Sequence, residues 1–71
     1  MQILVFKTNL SDTACINEME YSLNVHPNIY KWNVDLDDND HILGVMSNHI
    51  TGHEIETLLF NNGYYCEELQ D

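Results

Sequence analysis

The chain opens on a run, residues 3–7, in which Ile3, Leu4, Val5 and Phe6 precede Lys7. β-Branched and aromatic residues suit a pleated backbone, so the run predicts a first strand. Its alternating sets are Leu4, Phe6, Thr8 and Leu10 on one side and Ile3, Val5 and Lys7 on the other. Successive strand side chains point to opposite faces, so both faces start apolar. A central place in a sheet accounts for one face; the other needs partial cover or a partner. The period then changes. Ile16, Met19 and Leu23 recur at three and four and predict a helix over 13–24, with Asn17, Glu18 and Glu20 off the stripe. Ser11, Asp12 and Thr13 can all cap its start, and Pro27-Asn28 turns the chain after it.

Alternation returns at Trp32, Val34 and Leu36 against Lys31, Asn33 and Asp35, predicting a strand over 29–36. Asp37-Asp38-Asn39-Asp40 predicts a hairpin loop. Ile42, Leu43, Val45 and Met46 supply a third strand over 41–47. Thr51, with Glu54 three residues on, has the spacing of a capping box, and Ile55, Leu58 and Leu59 form the apolar face of the helix it opens. Gly63 follows Asn62 where a left-handed residue ends a helix, and a last strand is expected over 64–69. The order β-α-β-β-α-β predicts an α+β, ferredoxin-like sandwich: a four-stranded antiparallel sheet with two helices on one face. Right-handed crossovers put both helices on the same side. At 71 residues the expectation is one domain, 1–71.

Charge narrows the function classes. Twelve Asp and Glu face only Lys7 and Lys31, for a net charge of -10. Such a surface repels phosphate backbones and anionic lipid, so nucleic-acid binding and membrane insertion are not expected, while a basic protein or a cation is attracted. No apolar run reaches membrane-spanning length and no signal-peptide pattern is visible, so the expected location is cytoplasmic. Cys15 and Cys66 do not make a disulfide framework. No acid–base pair, triad or phosphate-cradling glycine loop can be read, so a noncatalytic module is expected.

Several positions together carry a resemblance. Leu10 falls where a methionine opens a Met-x-Cys-x-x-Cys loop, and Cys15 falls on its second cysteine. Ile16, Met19 and Leu23 match the helix face that follows, and Pro27-Asn28-Ile29 resembles a Pro-Gly-Val turn. Trp32 with Val34 matches the apolar pair of strand two, and Gly63-Tyr64 a glycine-aromatic pair before the last strand. In these features the chain resembles the heavy-metal-associated (HMA) domain of copper chaperones and metal-transporting ATPases. The resemblance implies a metal site at the first loop, with Tyr64 as its aromatic neighbour. Asp12 stands where the first metal cysteine belongs.

That replacement changes the chemistry. Monovalent copper prefers thiolates, and one cysteine with one carboxylate makes a harder, weaker site. Zinc accepts mixed sulfur and oxygen ligands, but Asp12 and Cys15 need at least one more, and His41 is expected at the same end. Against a metal role, Asp12 is a good helix cap and Cys15 a small residue for a first turn. The expectation is therefore an interaction or regulatory module with a degenerate metal loop and no cofactor. The alternative is weak or intermolecular copper or zinc binding through Cys15, with Asp12 as co-ligand. Elsewhere, Asp35, Asp37, Asp38 and Asp40 read as a solvated turn without EF-hand spacing. His26, His49 and His53 read as loosely grouped surface residues at the opposite end, and Cys66 as an inward, inert thiol. Tyr64 and Tyr65 are expected on opposite faces of strand four. Together with whichever of these tyrosines faces out, Ile3, Val5, Tyr30 and Met46 are expected to form an apolar surface on the side without helices, fit for a homo-oligomer or protein partner.

Overall fold

The computed structural model describes residues 1–69, so the last two positions of the expected domain lie outside the described residues. Six elements follow in the expected order: β1 (Gln2–Thr8), α1 (Thr13–Val25), β2 (Ile29–Val34), β3 (Leu43–Ser47), α2 (Gly52–Asn61) and β4 (Cys66–Glu68). The strands align as β2-β3-β1-β4, and every neighbouring pair is antiparallel. β1 is thus central, as its two apolar faces require, and both helices pack on one side of the sheet. Among the described residues no helix is long and apolar enough to cross a membrane.

The inward set of β1 and its neighbours forms the floor of the core. Phe6, Leu43 and Val45 are fully buried there, roofed by Met19 and Leu23 of α1 and by Ile55 and Leu59 of α2. The α1 stripe differs from the expected one. Ile16 is only half-buried, and Cys15 packs against the core in line with Met19 and Leu23, four residues apart each time. Trp32 covers the edge of the same layer, and its indole N–H donates to Asn24 Oδ1 at 2.8 Å.

Both helix starts are capped by the side chains expected to do so. Asp12 Oδ1 accepts from Cys15 N at 2.9 Å, and Thr51 Oγ1 accepts from Glu54 N at 3.2 Å. α2 closes in a Schellman turn, with Tyr64 N donating to Leu59 O at 2.9 Å and Gly63 N to Phe60 O at 3.0 Å. Gly63 has φ +88°, a conformation an L side chain rarely adopts. At Gly52 a Cβ would meet only the end of the flexible Glu68 side chain, which lies over the start of α2 and would have to shift.

Three strand boundaries depart from expectation, each because a local bond outcompetes the ladder. β2 stops at Val34 because Asp35 turns the chain, its Oδ1 accepting from Asp37 N at 3.0 Å. β3 starts at Leu43 because His41 adopts φ +46° and the residues before it bind the end of β1: Thr8 N donates to Asp40 O and Thr8 Oγ1 to His41 O. β4 is cut to three residues because Asn9 takes over the pairing of Tyr65, whose N–H donates to Asn9 Oδ1 at 2.8 Å. A bulge between Ile29 and Lys31 turns Tyr30 out to 59 % exposure.

The burial contrast along α2 sets a test. Leu59→Ala should cost about 2–5 kcal/mol, a large share of the ~5–15 kcal/mol that holds a domain folded. Phe60→Ala, next along the helix at 77 % exposure, should stay within about 0.5 kcal/mol. Urea unfolding of both variants checks the difference.

Candidate functional site

The loop between β1 and α1 is anchored from below. Leu10 is fully buried, and its N–H donates to Thr8 Oγ1 at 3.1 Å. The position matching the loop-opening methionine therefore holds a core residue that ties the loop to the sheet. Asp12 follows in extended backbone, φ -152° and ψ 174°, which aims its carboxylate at the open first turn of α1. The bond from the Cys15 N–H holds the Asp12 carboxyl below its ordinary range, and the Cys15 side chain adds to the effect. One residue thus occupies the cysteine position and serves the helix that begins there.

Cys15 is half-buried, its thiol side packed against the core. Tyr64, also half-buried, comes over from the α2–β4 turn, and its hydroxyl donates to Glu18 Oε2. That carboxylate pushes the phenol upward from its usual value, followed by burial and then the Cys15 thiol. Asp12, Cys15 and Tyr64 are therefore gathered at one corner. Glu18 joins them and is absent from the sequence expectation. Its position three residues after Cys15, one turn along the same helix, was the available signal.

The other candidates do not add to this corner. Among the described residues no group of three or more His, Cys, Asp or Glu side chains is arranged to hold a metal ion. His41 lies at the same end, its carbonyl bonded to Thr8, but its side chain completes no such group. In the acidic hairpin, Asp35 and Asp38 accept from the backbone N–H groups of Asp37 and Asp40, and Asp40 pairs with Lys7 Nζ at 3.5 Å. These carboxylates build the turn. His26 and His53 line one depression of 480 Å³ with Glu54, while His49 stands apart in a left-handed turn at φ +56°. Tyr65 is exposed while Tyr64 packs inward, although both precede β4.

Cys66 is buried beneath α2. Burial, reinforced by the Glu56 carboxylate, pushes its thiol up from 9.0 to about 12. Both cysteines are free thiols.

No family model matches the sequence, and no curated protein matches it. Solved structures do match in fold. A chain of the Atx1-Cu(I)-Ccc2a complex superposes with a TM-score of 0.84 at 20% identity, covering 100% of this chain and 99% of that one. A copper binding domain from HMA7, a P-type ATPase, gives 0.83 at 19% identity, covering 99% and 96%. The PacS N-terminal domain from Synechocystis gives 0.81 at 15% identity, covering 99% and 100%. The fold is that of heavy-metal-associated, copper-chaperone-like domains, and the resemblance carried by the loop and turn residues is borne out at that level.

Two outcomes follow from this corner and the thiol beneath α2. Asp12→Ala should lower the melting temperature by a few degrees, while Asp12→Ser, which caps as well, should not. Asp12's share of stability is present above the ordinary carboxylate range and lost as pH falls through its depressed folded value, so the Ala penalty should shrink in acid. For the thiols, a maleimide at neutral pH should label Cys15 rapidly and Cys66 only on unfolding, as peptide mapping would show. A raised thiol stabilises fully below its unfolded value and stops doing so above its folded one. Stability should therefore fall between pH 9.0 and about 12, less steeply in Cys66→Val.

Proposed function

We propose that this chain is a noncatalytic interaction module that keeps a copper-chaperone-like fold and has lost the two-thiolate grip on a soft metal. The observation that carries this reading is the bond from the Cys15 N–H to Asp12 Oδ1. The side chain at the first cysteine position is engaged in capping α1, and a carboxylate is a poor donor for monovalent copper beside a single thiol. What remains at the loop is a structural corner of Asp12, Cys15, Glu18 and Tyr64. The module would dock a protein through the face of the sheet that no helix covers, using Ile3, Val5, Tyr30 and Met46. One matching fold comes from a complex of two proteins with Cu(I), which supports docking as a use of this architecture. Two free thiols suit a reducing compartment, so the proposed setting is the cytoplasm.

A second reading has its own observation. The Cys15 thiol is half-exposed beside the Asp12 carboxylate, so a ligand from another molecule would complete a shared copper or zinc site. Anaerobic titration with Cu(I) and with Zn(II), read by native mass spectrometry, separates the two. The expected result is no tight stoichiometric uptake and no change in Cys15→Ser. One metal per chain, lost in Cys15→Ser, would overturn the degenerate-loop reading. One metal per two chains, also lost in that variant, would establish the shared site.

A further inference from the structure

Three aromatic residues, Phe60, Tyr64 and Tyr65, fall close together at the end of α2 and in the turn after it. Phe60 is 77 % exposed and Tyr65 54 %. Exposed apolar residues scattered singly are ordinary, but these are held side by side. Gly63 N donates to Phe60 O within the turn, and Tyr65 N donates to Asn9 Oδ1 at 2.8 Å, so the backbone under both exposed rings is tied down. All three aromatics line two depressions that share them as walls. One, of 250 Å³, lies against α2 and is also lined by His53, Glu56 and Cys66. The other, of 410 Å³, lies over the turn beside Asn9 and Gly63.

Glu56 gives the first depression its charge. It stands four residues before Phe60, one turn back on the same face of α2. Its side chain is half-buried, and Oε2 accepts from Glu68 N at 3.2 Å, which fixes the carboxylate across the seam between α2 and β4. Among the described residues no cation neutralises it, since the one ion pair joins Lys7 to Asp40. Neither lysine borders either depression. The Glu56 charge is felt by the buried Cys66 thiol, which it helps to push up. A half-buried carboxylate with one hydrogen bond and no cation leaves a negative site that opens between aromatic walls.

We propose that this corner binds a quaternary ammonium head group, with Phe60, Tyr64 and Tyr65 as its aromatic walls and Glu56 as its counter-charge. The inference goes beyond docking through the sheet and does not depend on it. Aromatic faces carry negative potential and attract a cation within about 6 Å of the ring centre. The kind of cation follows from the hydrogen-bond acceptors already in use. An ammonium or a guanidinium brings several N–H donors that need partners. Here the Tyr64 hydroxyl is committed to Glu18, and one Glu56 oxygen to Glu68 N. A trimethylammonium brings no N–H, so it leaves no donor unpaired when it moves from water onto the rings. The size agrees. A volume of 250 Å³ falls below the ~300–1,000 Å³ of pockets for drug-sized ligands and suits a head group alone. The rest of the ligand would lie over the second depression. A net charge of -10 draws such a cation in from solution. Free choline-type molecules and trimethylated lysine side chains carry this same head group.

The experiment is an amide NMR titration of the whole chain, reduced and with chelator. The probes are choline, its neutral tert-butyl isostere, and two peptides that differ only in carrying lysine or trimethyllysine. Choline should shift the amides around Glu56, Phe60 and Tyr65 saturably, with a dissociation constant on the order of 1 mM, and the isostere should not. Phe60→Ala and Tyr65→Ala should each weaken choline binding about two- to fivefold, the share of one ring in an exposed cation site. Glu56→Gln, which keeps an acceptor for Glu68 N, should weaken it as well. Tyr21→Ala, at an aromatic residue on α1 that is 75 % exposed, should leave it unchanged. Circular dichroism checks that each variant is folded. Tighter binding of the trimethyllysine peptide than of choline, with added shifts at Asn9 and Gly63, supports the site and makes a protein side chain its ligand. Equal binding of the two supports the site with the free head group sufficient. Equal binding of choline and its isostere overturns the proposal, because the charge is then not read. Equal binding of the two peptides overturns it too, because the methyl groups are then not read. Shifts spread over the acidic hairpin, or indifferent to Phe60 and Tyr65, reduce the effect to general charge attraction and overturn the site. So does the absence of any shift with choline at about 50 mM.

Discussion

A four-stranded sheet roofed by two short helices can cover only one of its faces, and most features of this molecule descend from that constraint. Each helix carries a single apolar stripe, so each must lie on the sheet, and right-handed crossovers bring both to the same side. The covered face becomes the core around Phe6, Leu43 and Val45. The other face keeps Ile3 and Tyr30 in contact with solvent, and the strand that needs most cover, β1, lies between two others. A small chain has no third layer with which to hide that surface.

The first loop shows one side chain answering the demands of architecture at a place where the resemblance to metal-binding domains implies a ligand. The fold requires a residue that ends β1's excursion and caps α1, and an acidic side chain does this well because the free N–H groups of a helix start favour a negative oxygen. A soft-metal site requires polarizable sulfur at the same place. Asp12 meets the first demand through its bond from Cys15 N and departs from the second. Leu10 strengthens the structural side of the balance by sinking into the core beneath the loop. Tyr64 and Glu18 then close the corner with side chain to side chain bonding, so Cys15 sits among groups that orient one another.

The departures from the sequence reading share a cause. Side chains of Asn9, Asp35 and Thr8 form bonds that the strand ladders would otherwise make, and which bond prevails depends on what lies across the fold. Asn9 reaches Tyr65, 56 residues away, and shortens β4 by taking its place in the pairing. Cys15 rather than Ile16 joins the packed stripe because the burial of Met19 and Leu23 fixes which side of the helix meets the sheet, and Cys15 lies four residues before Met19 on that side. Adjacent apolar positions do not by themselves declare which of them faces in.

Local chemistry was enough to specify element type and order, the caps at Asp12 and Thr51, and the left-handed close of α2 at Gly63. Those features depend on neighbours within about one helical turn, so they are written in short spans of residues. The convergence of Asp12, Cys15 and Tyr64 was legible only as an implication of the loop and turn motifs, and Glu18's place among them was not legible at all. Tertiary structure decided that corner, the length of β4, and the gathering of both lysines on the uncovered face. Each of these rests on which strand lies beside which, and that order is fixed by packing the helices onto the sheet rather than by any single segment's own preference.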